Sequence, residues 1–375
     1  MHTPIRLLYA VRPQASTGVL GAAATVSALF VATPFIIPEV ADRYGVPLGA
    51  AGLISTAQVG GFAATSFLAG RLLRPSSRIL VLSLLILATV NGLSALSDRL
   101  WQLSSLRASA GAAAGVVTWL AWADATRFRR GLGDVAAAGP LAAVFAAPLF
   151  GWATAVGDDR AVYLTLAVLA LIPLGLPVRL EDLEPVGRTV SSSSSNRVLL
   201  ATLFLLTTAG SSIFVYAAAA GRDLAGLGPM AVSVAFSLNA LAGILATRIT
   251  PGRIGAGVWL AGTAVGALIM GTTVSPTAYF AAMIGWGFVF WVGVPEVFRL
   301  LAARSASPGE RVGDAQALMA LGRALGPAVG GLLVGEARYE LLAFGASAGL
   351  FTAAMMVSAV EVRRRAVADR LAGTS

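Results

Sequence analysis

The groups in this chain that could do chemistry are few, and most are arginines. Its 375 residues include one histidine, His2, no cysteine and no lysine, so 27 arginines stand against 18 acidic residues. Thiolate and His-rich metal sites, disulfides, Ser-His-Asp triads and Cys-His nucleophiles are therefore missing from the repertoire. What remains is the chemistry of a carrier. Arg107 and Arg323 stand within apolar stretches, where a guanidinium costs at least about 2.5–3.5 kcal/mol to insert, so each needs a partner or a wet cavity. No acid is expected at that depth. Glu39, Asp42, Asp124 and Glu296 lie near the ends of their stretches, and Asp158-Asp159 fall in a loop. A desolvated guanidinium favours a bidentate anion, so two such arginines favour a solute bearing a carboxylate or phosphate.

Other side chains offer a rival site. Arg107, Gly111, Gly115, Thr118 and Trp122 recur at helical spacing, a face that reads as the wall of a cavity. The alternative is that Arg107 hydrogen-bonds carbonyls of a neighbouring helix. Trp286, Phe290 and Gly293 share one face with Trp291 beside it, and Trp119 and Trp122 lie on another stretch. These aromatics could hold an amphipathic solute, although such spacing more often serves packing or faces lipid. Gln58 and Asn239 fall in the middle of apolar stretches, where an amide either joins helices or binds solute.

The elements that position these residues are membrane helices. With 57% hydrophobic residues, 12% charged residues and a mean hydropathy of +0.80, the chain carries half the usual charge of about 25%. Its excess apolar surface must face lipid. Stretches of about 20 apolar residues are expected near 17–38, 48–70, 79–97, 100–123, 133–153, 161–178, 198–220, 228–247, 254–274, 276–298, 314–335 and 339–360. That makes an all-α integral membrane protein with twelve spans. They divide into two six-helix bundles, residues 1–180 and 198–375, joined by a polar linker over 181–197 that holds Ser191 to Ser195. With a cytoplasmic amino terminus, 20 arginines fall inside and 5 outside, and Arg107 and Arg323 lie within spans. This positive-inside pattern places both termini and the linker in the cytoplasm, and the first span is expected to stay as an anchor. The pI near 11.0 is thus topology, with lipid rather than nucleic acid as the partner.

The two halves repeat. Leu68-Ala-Gly-Arg71-Leu-Leu-Arg74-Pro75 after the second span is answered by Leu245-Ala-Thr-Arg248-Ile-Thr-Pro251 after the eighth. Asp124-Ala-Thr-Arg127 matches Glu296-Val-Phe-Arg299, and Arg130-Gly131-Leu-Gly133-Asp134 matches Glu310-Arg311-Val-Gly313-Asp314. Ala147-Pro148 with Gly151 lines up with Gly326-Pro327 and Gly330. Two related halves are what alternating-access transporters are built from. With these corners in view, the sequence resembles the major facilitator superfamily over nearly its whole length. Gly70, Leu72 and Arg78 fit that family's G-x-L-x-D-R-x-G-R loop, while Arg74 stands where its Asp belongs and Ser77 replaces the second Gly. Arg107 to Ala114 resembles the family's R-x-x-Q-G-x-G-A-A segment, with Ala110 in place of its Gln and Ala113 in place of its second Gly. The family's G-x-x-x-G-P-x-x-G-G signature of helix five is found complete in span eleven, Gly322 to Gly331.

The resemblance implies a secondary transporter of a small organic solute, monomeric and without a cofactor, in the plasma membrane or cell inner membrane. It links the arginine at Arg107 to coupling with H+, by antiport or symport. It also implies a cytoplasmic gate in which Arg71, Arg74, Arg78, Asp124 and Arg127 of one half meet Arg248, Arg253, Glu296 and Arg299 of the other. Proton-driven efflux and uptake of an organic anion through Arg107 and Arg323 are the two leading modes. A membrane-embedded enzyme, which would need clustered acids, and a channel or non-transporting receptor are the remote alternatives.

Overall fold

Without water to satisfy peptide groups, a chain this apolar must pair its backbone within each segment, and it does so as helices. The computed structural model describes residues 15–125, 131–178, 194–249, 254–303, 308–335 and 338–372. The first helix, α1 (Thr17–Tyr44), stops at Gly45, whose φ of 61° takes the left-handed conformation and whose N–H bonds to Ala41. That stop is where glycine is needed. It is followed by α2 (Leu48–Leu72), α3 (Ser77–Leu96), α4 (Leu100–Ala125) and α5 (Gly131–Leu171). The Ser76 hydroxyl accepts from the Ile79 N–H and so caps α3.

Helix α5 holds two expected spans in one run, broken where Gly157 and Asp158 leave helical geometry. Asp158, with φ 56°, is the one non-glycine residue of positive φ among the described residues. The second part of the chain forms α6 (Ser194–Phe214), α7 (Ala217–Asp223), α8 (Pro229–Ala246), α9 (Ala256–Thr272), α10 (Pro276–Ala302), α11 (Pro308–Val334) and α12 (Tyr339–Ala372). The expected span at 198–220 is thus bent between α6 and α7. The helices run on through Pro34, Pro38, Pro148 and Pro327. Eight described stretches are long and apolar enough to cross a membrane, and α9 is apolar but only 17 residues long. Gly, Ala and Ser dilute α2 and α4.

Small residues set the packing. In the first half α2 lies on α4 and α1 on α5, with α3 against both α4 and α5; in the second, α6 lies on α11 and α12 while α9 joins α10 and α12. Among the described residues, α2 packs on α11, α5 on α8, and α1 on α7 across the halves. Gly49 and Gly331 meet face to face. The Tyr216 hydroxyl, packed on Gly52, donates to the Pro327 carbonyl at 2.8 Å. The Ser237 hydroxyl donates to the Val144 carbonyl at 2.9 Å, and a Cβ on Gly151 would lie 2.8 Å from the Pro229 carbonyl oxygen. These contacts run from the middle of the helices to the end that carries Asp42.

Candidate functional site

Arg323 is placed by the sides of α11. At about 100° per residue, Gly322, Gly326 and Gly330 form one row, packed on Thr208, Ser211 and Ser212 of α6. Gly331 lies on the other side, against α2. Leu321, Leu325, Val329 and Leu332 are exposed and apolar and form the side that suits lipid. Arg323 points between the α6 and α2 rows, opposite the apolar side, and it is exposed there. It is nine residues past Asp314, or roughly 14 Å along the helix. Its Nε–H donates to the Met319 carbonyl at 3.3 Å, one turn back on its own helix. The result is a cation near mid-helix that faces the space between the halves.

Arg107 does not share that space. It is 1% exposed, donates to the Ser94 hydroxyl at 2.6 Å and to the Val90 carbonyl at 3.4 Å, and stacks over Tyr163 at 4.7 Å. The expected cavity wall on α4 is a packing face: a Cβ on Gly115 would lie 2.6 Å from the Phe62 carbonyl oxygen, and Gly111 abuts the Gln58 backbone. Small residues there let α2 approach, and this turns the guanidinium toward α3 and α5. One acid that the sequence puts in a loop is buried between helices. Asp159 is 0% exposed, held by Arg43 at 3.0 Å, because the break at Gly157 and Asp158 turns it inward.

The aromatic residues line up across the interface. Phe35 of α1 meets Phe236 of α8 with ring centroids 5.2 Å apart, Phe236 meets Phe214 at 5.2 Å, and Phe214 meets Trp286 at 6.1 Å. Trp286 is 6% exposed and packs near Gly210 and Gly266. Phe290 stands edge-on to Trp291 at 5.8 Å. Trp119 is half-buried and approaches α2, where a Cβ on Gly70 would lie 3.2 Å from its Nε1. Trp122 is exposed. Both amides join helices: Gln58 donates to the Thr33 hydroxyl at 3.3 Å, and Asn239 to the Met283 carbonyl at 2.7 Å.

At the other end of the helices, Arg71, Arg74, Arg78 and Arg248 are exposed. Arg71 stacks on Phe67 at 3.8 Å. Asp124 is buried, and Glu296 pairs with Arg299 of its own helix, Nε to Oε2 at 2.8 Å. Arg127 and Arg253 lie outside the described residues, as does most of the 181–197 linker. An ion pair between α1 and α7 lies at the Asp42 end, at residues outside the expected gate. There Arg222 reaches Asp42 at 3.0 Å and Glu39 at 3.8 Å. Arg222 also binds Asp223 at 2.9 Å, and the Tyr339 hydroxyl donates to Asp223 at 2.5 Å. The adjacent Arg222-Asp223 opposite two acids at a helix end was the available signal.

The profile of the Major Facilitator Superfamily matches residues 18–331. The chain belongs to the Major Facilitator Superfamily. No curated protein sequence matches it significantly. Solved superfamily-type transporters share its fold at low identity. A human organic anion transporter, MFSD10 (TETRAN), is 17% identical, covering 91% of this chain and 97% of that one, with a TM-score of 0.61. A bacterial homologue of the human lysosomal transporter Spinster, inward-facing and occupied, is 12% identical over 91% and 94%, with a TM-score of 0.66. A POT family transporter in complex with 5-aminolevulinic acid is 12% identical over 93% and 98%, with a TM-score of 0.69. In this superfamily member the Gly322 to Gly331 signature serves the joint of α11 with α6 and α2, so Arg323 is carried by the element that links the halves.

Proposed function

We propose that this superfamily member is a secondary active transporter that moves a small organic solute by alternating access, driven by a proton gradient. Two six-helix bundles, residues 1–180 and 198–375, rock about the contacts of α2 with α11 and α5 with α8. The arginine distribution supports a cytoplasmic Arg71 end, linker and termini in a plasma-membrane protein. On that orientation the halves are closed at the outer, Asp42 end, and solute reaches Arg323 from the cytoplasm. Arg71, Arg74, Arg78, Asp124, Arg127, Arg248, Arg253, Glu296 and Arg299 form the gate that closes the other end when the halves rock back.

The observation that carries this reading is Arg323: a cation in the middle of an apolar helix, turned away from the lipid side and exposed between the halves. Desolvated guanidinium recognises carboxylate in a bidentate way, which favours an organic anion as the solute. One fold neighbour is named an organic anion transporter, in keeping with that choice. The aromatic row ending at Trp286, with Phe290, Trp119 and Trp122 beyond it, supplies apolar surface for the body of the solute, and Gln58 and Asn239 fix the helices around it. Arg107, expected to share the charge, serves the interior of the first half instead. The test is counterflow of a radiolabelled organic carboxylate, benzoate, in proteoliposomes with equal protein. Arg323→Lys keeps part of the flux because charge survives without the fork; Arg323→Gln abolishes it. Full flux in Arg323→Gln overturns the anion site and moves it to the aromatic row.

A further inference from the structure

Inside the first half, away from Arg323, lies a buried polar cluster that the solute site does not use. Four helices build it. Helix α1 gives Arg43 and Tyr44, α3 gives Asn91 and Ser94, α4 gives Arg107, and α5 gives Asp159 and Tyr163; Ser97 follows α3. Asp159 Oδ2 accepts from Arg43 Nη1 at 3.0 Å. The same guanidinium donates to the Ala95 carbonyl at 3.3 Å and to the Ser97 carbonyl, and the Tyr44 hydroxyl donates to the Ser97 carbonyl at 2.7 Å. Buried polar atoms left without a partner gather here: Asp159 Oδ1, the Tyr163 hydroxyl, Arg107 Nε and Nη1, and both amide atoms of Asn91. An orphaned buried acceptor is costly, and a carboxylate oxygen in that position is completed by a proton.

The backbone supports the same residue. Asp158 adopts φ 56° and ψ −154°, a region that is nearly reserved for glycine and that holds strain at functional sites. The strained turn is what brings Asp159 to zero exposure. Its charged surroundings are Arg43 and Glu39 from α1, Arg107 from α4, and Asp158, Arg160 and Tyr163 from α5, with Tyr44 near Tyr163. On α3 the facing groups, Asn91 and Ser94, are neutral.

We infer that Asp159 is the proton-binding residue of this protein, and that its protonation controls the closure between Asp42 and Arg222. This rests on the transporter reading only for its use in coupling. In the step, a hydronium ion gives its proton to Asp159 Oδ1, an O–H bond forms there, and a water molecule leaves. The carboxyl group then loses its charge, and the charge-assisted bond to Arg43 weakens. Arg43 lies four residues after Glu39 on the same helix face and next to Asp42, the two acids that hold Arg222 from across the interface. Released from Asp159, Arg43 supplies the cation these acids need, and Arg222 lets go. The protonated form therefore favours an open Asp42 end, and the ionised form favours the closed one.

The test needs no solute, and the chain's lack of cysteine makes a single reporter unambiguous. Ser233 of α8, buried against Gly151 of α5 across the interface, is replaced by cysteine in the purified protein, and its labelling by a water-soluble maleimide is followed from about pH 8 down to about pH 5, across the carboxylate range. Rates are divided by those of an exposed control position, Pro47→Cys, which removes the reagent's own pH dependence. The corrected rate should rise as pH falls. In Asp159→Asn it should be high at every pH, in Asp159→Glu the pH dependence should return, and in Arg43→Gln it should stay low throughout. That opposite sign separates the proposal from simple loss of an ion pair, which would loosen both variants alike. Unchanged pH dependence in Asp159→Asn, or parallel loosening in Arg43→Gln, overturns it. If these results hold while no solute is transported, the proton site stands and the transporter reading falls.

Discussion

Arg107 and Arg323 look alike as residues in a sequence, each a lone arginine in an apolar stretch, yet their surroundings give them different work. Arg323 stands on the side of α11 left open between two packed rows. Arg107 is enclosed by α3 and α5. The sequence identifies both as intramembrane charges but not their directions, because direction depends on which neighbour presses on Gly111 and Gly115. Asp159 was hidden for a related reason: paired with Asp158 after Gly157, it reads as a loop residue until the turn is seen to fold it inward. A stability prediction follows for Arg107. Replacing a buried, poorly paired charge by an apolar side chain of similar length is often neutral or stabilising by about 1–4 kcal/mol. The Ser94 hydroxyl keeps its bond to the Val90 carbonyl at 2.6 Å, so Arg107→Met leaves no new orphan there. Its thermal midpoint in detergent should equal or exceed that of the parent. A clear fall would show that the guanidinium holds α3, α4 and α5 together.

On the proposed mechanism, closure turns on helices α2 and α11. Gly49 and Gly331 let their backbones touch, and the Gly49 N–H reaches the Gly335 carbonyl at 3.5 Å. A side chain at 49 would run into backbone, which cannot move aside as a flexible side chain can. Gly49→Val should therefore leave the bundles folded but unable to seat α2 on α11, raising maleimide labelling of Ser233→Cys at all pH values. Labelling as slow as in the parent would show that this joint is not the one that opens. The repeated corners and the apolar spacing made the helices legible, since lipid and backbone pairing permit little else. Their interruptions were less so. No proline marks the bend between α6 and α7, and the prolines inside α1, α5 and α11 leave the helices continuous. Packing by neighbours decides those points.

For the whole molecule, superfamily membership was legible because paired halves and charged corners survive in the sequence when little else does. The state of the molecule was not. On the proposed mechanism, which end is shut depends on Arg222 meeting Glu39 and Asp42 across the interface, a relation between distant segments that no local pattern carries. The central claim is that the two ends open alternately. The most direct test is a pair of distance measurements by pulsed electron paramagnetic resonance on spin labels in reconstituted protein. One pair sits at the Asp42 end, on Pro47→Cys and Gly228→Cys; the other at the Arg71 end, on Leu72→Cys and Ile249→Cys. Each position is exposed. Across changes of pH and added benzoate, the two distance distributions should shift in opposite directions, with the Asp42 pair lengthening as the Arg71 pair shortens. Distances that stay fixed, or that lengthen and shorten together, would contradict alternating access.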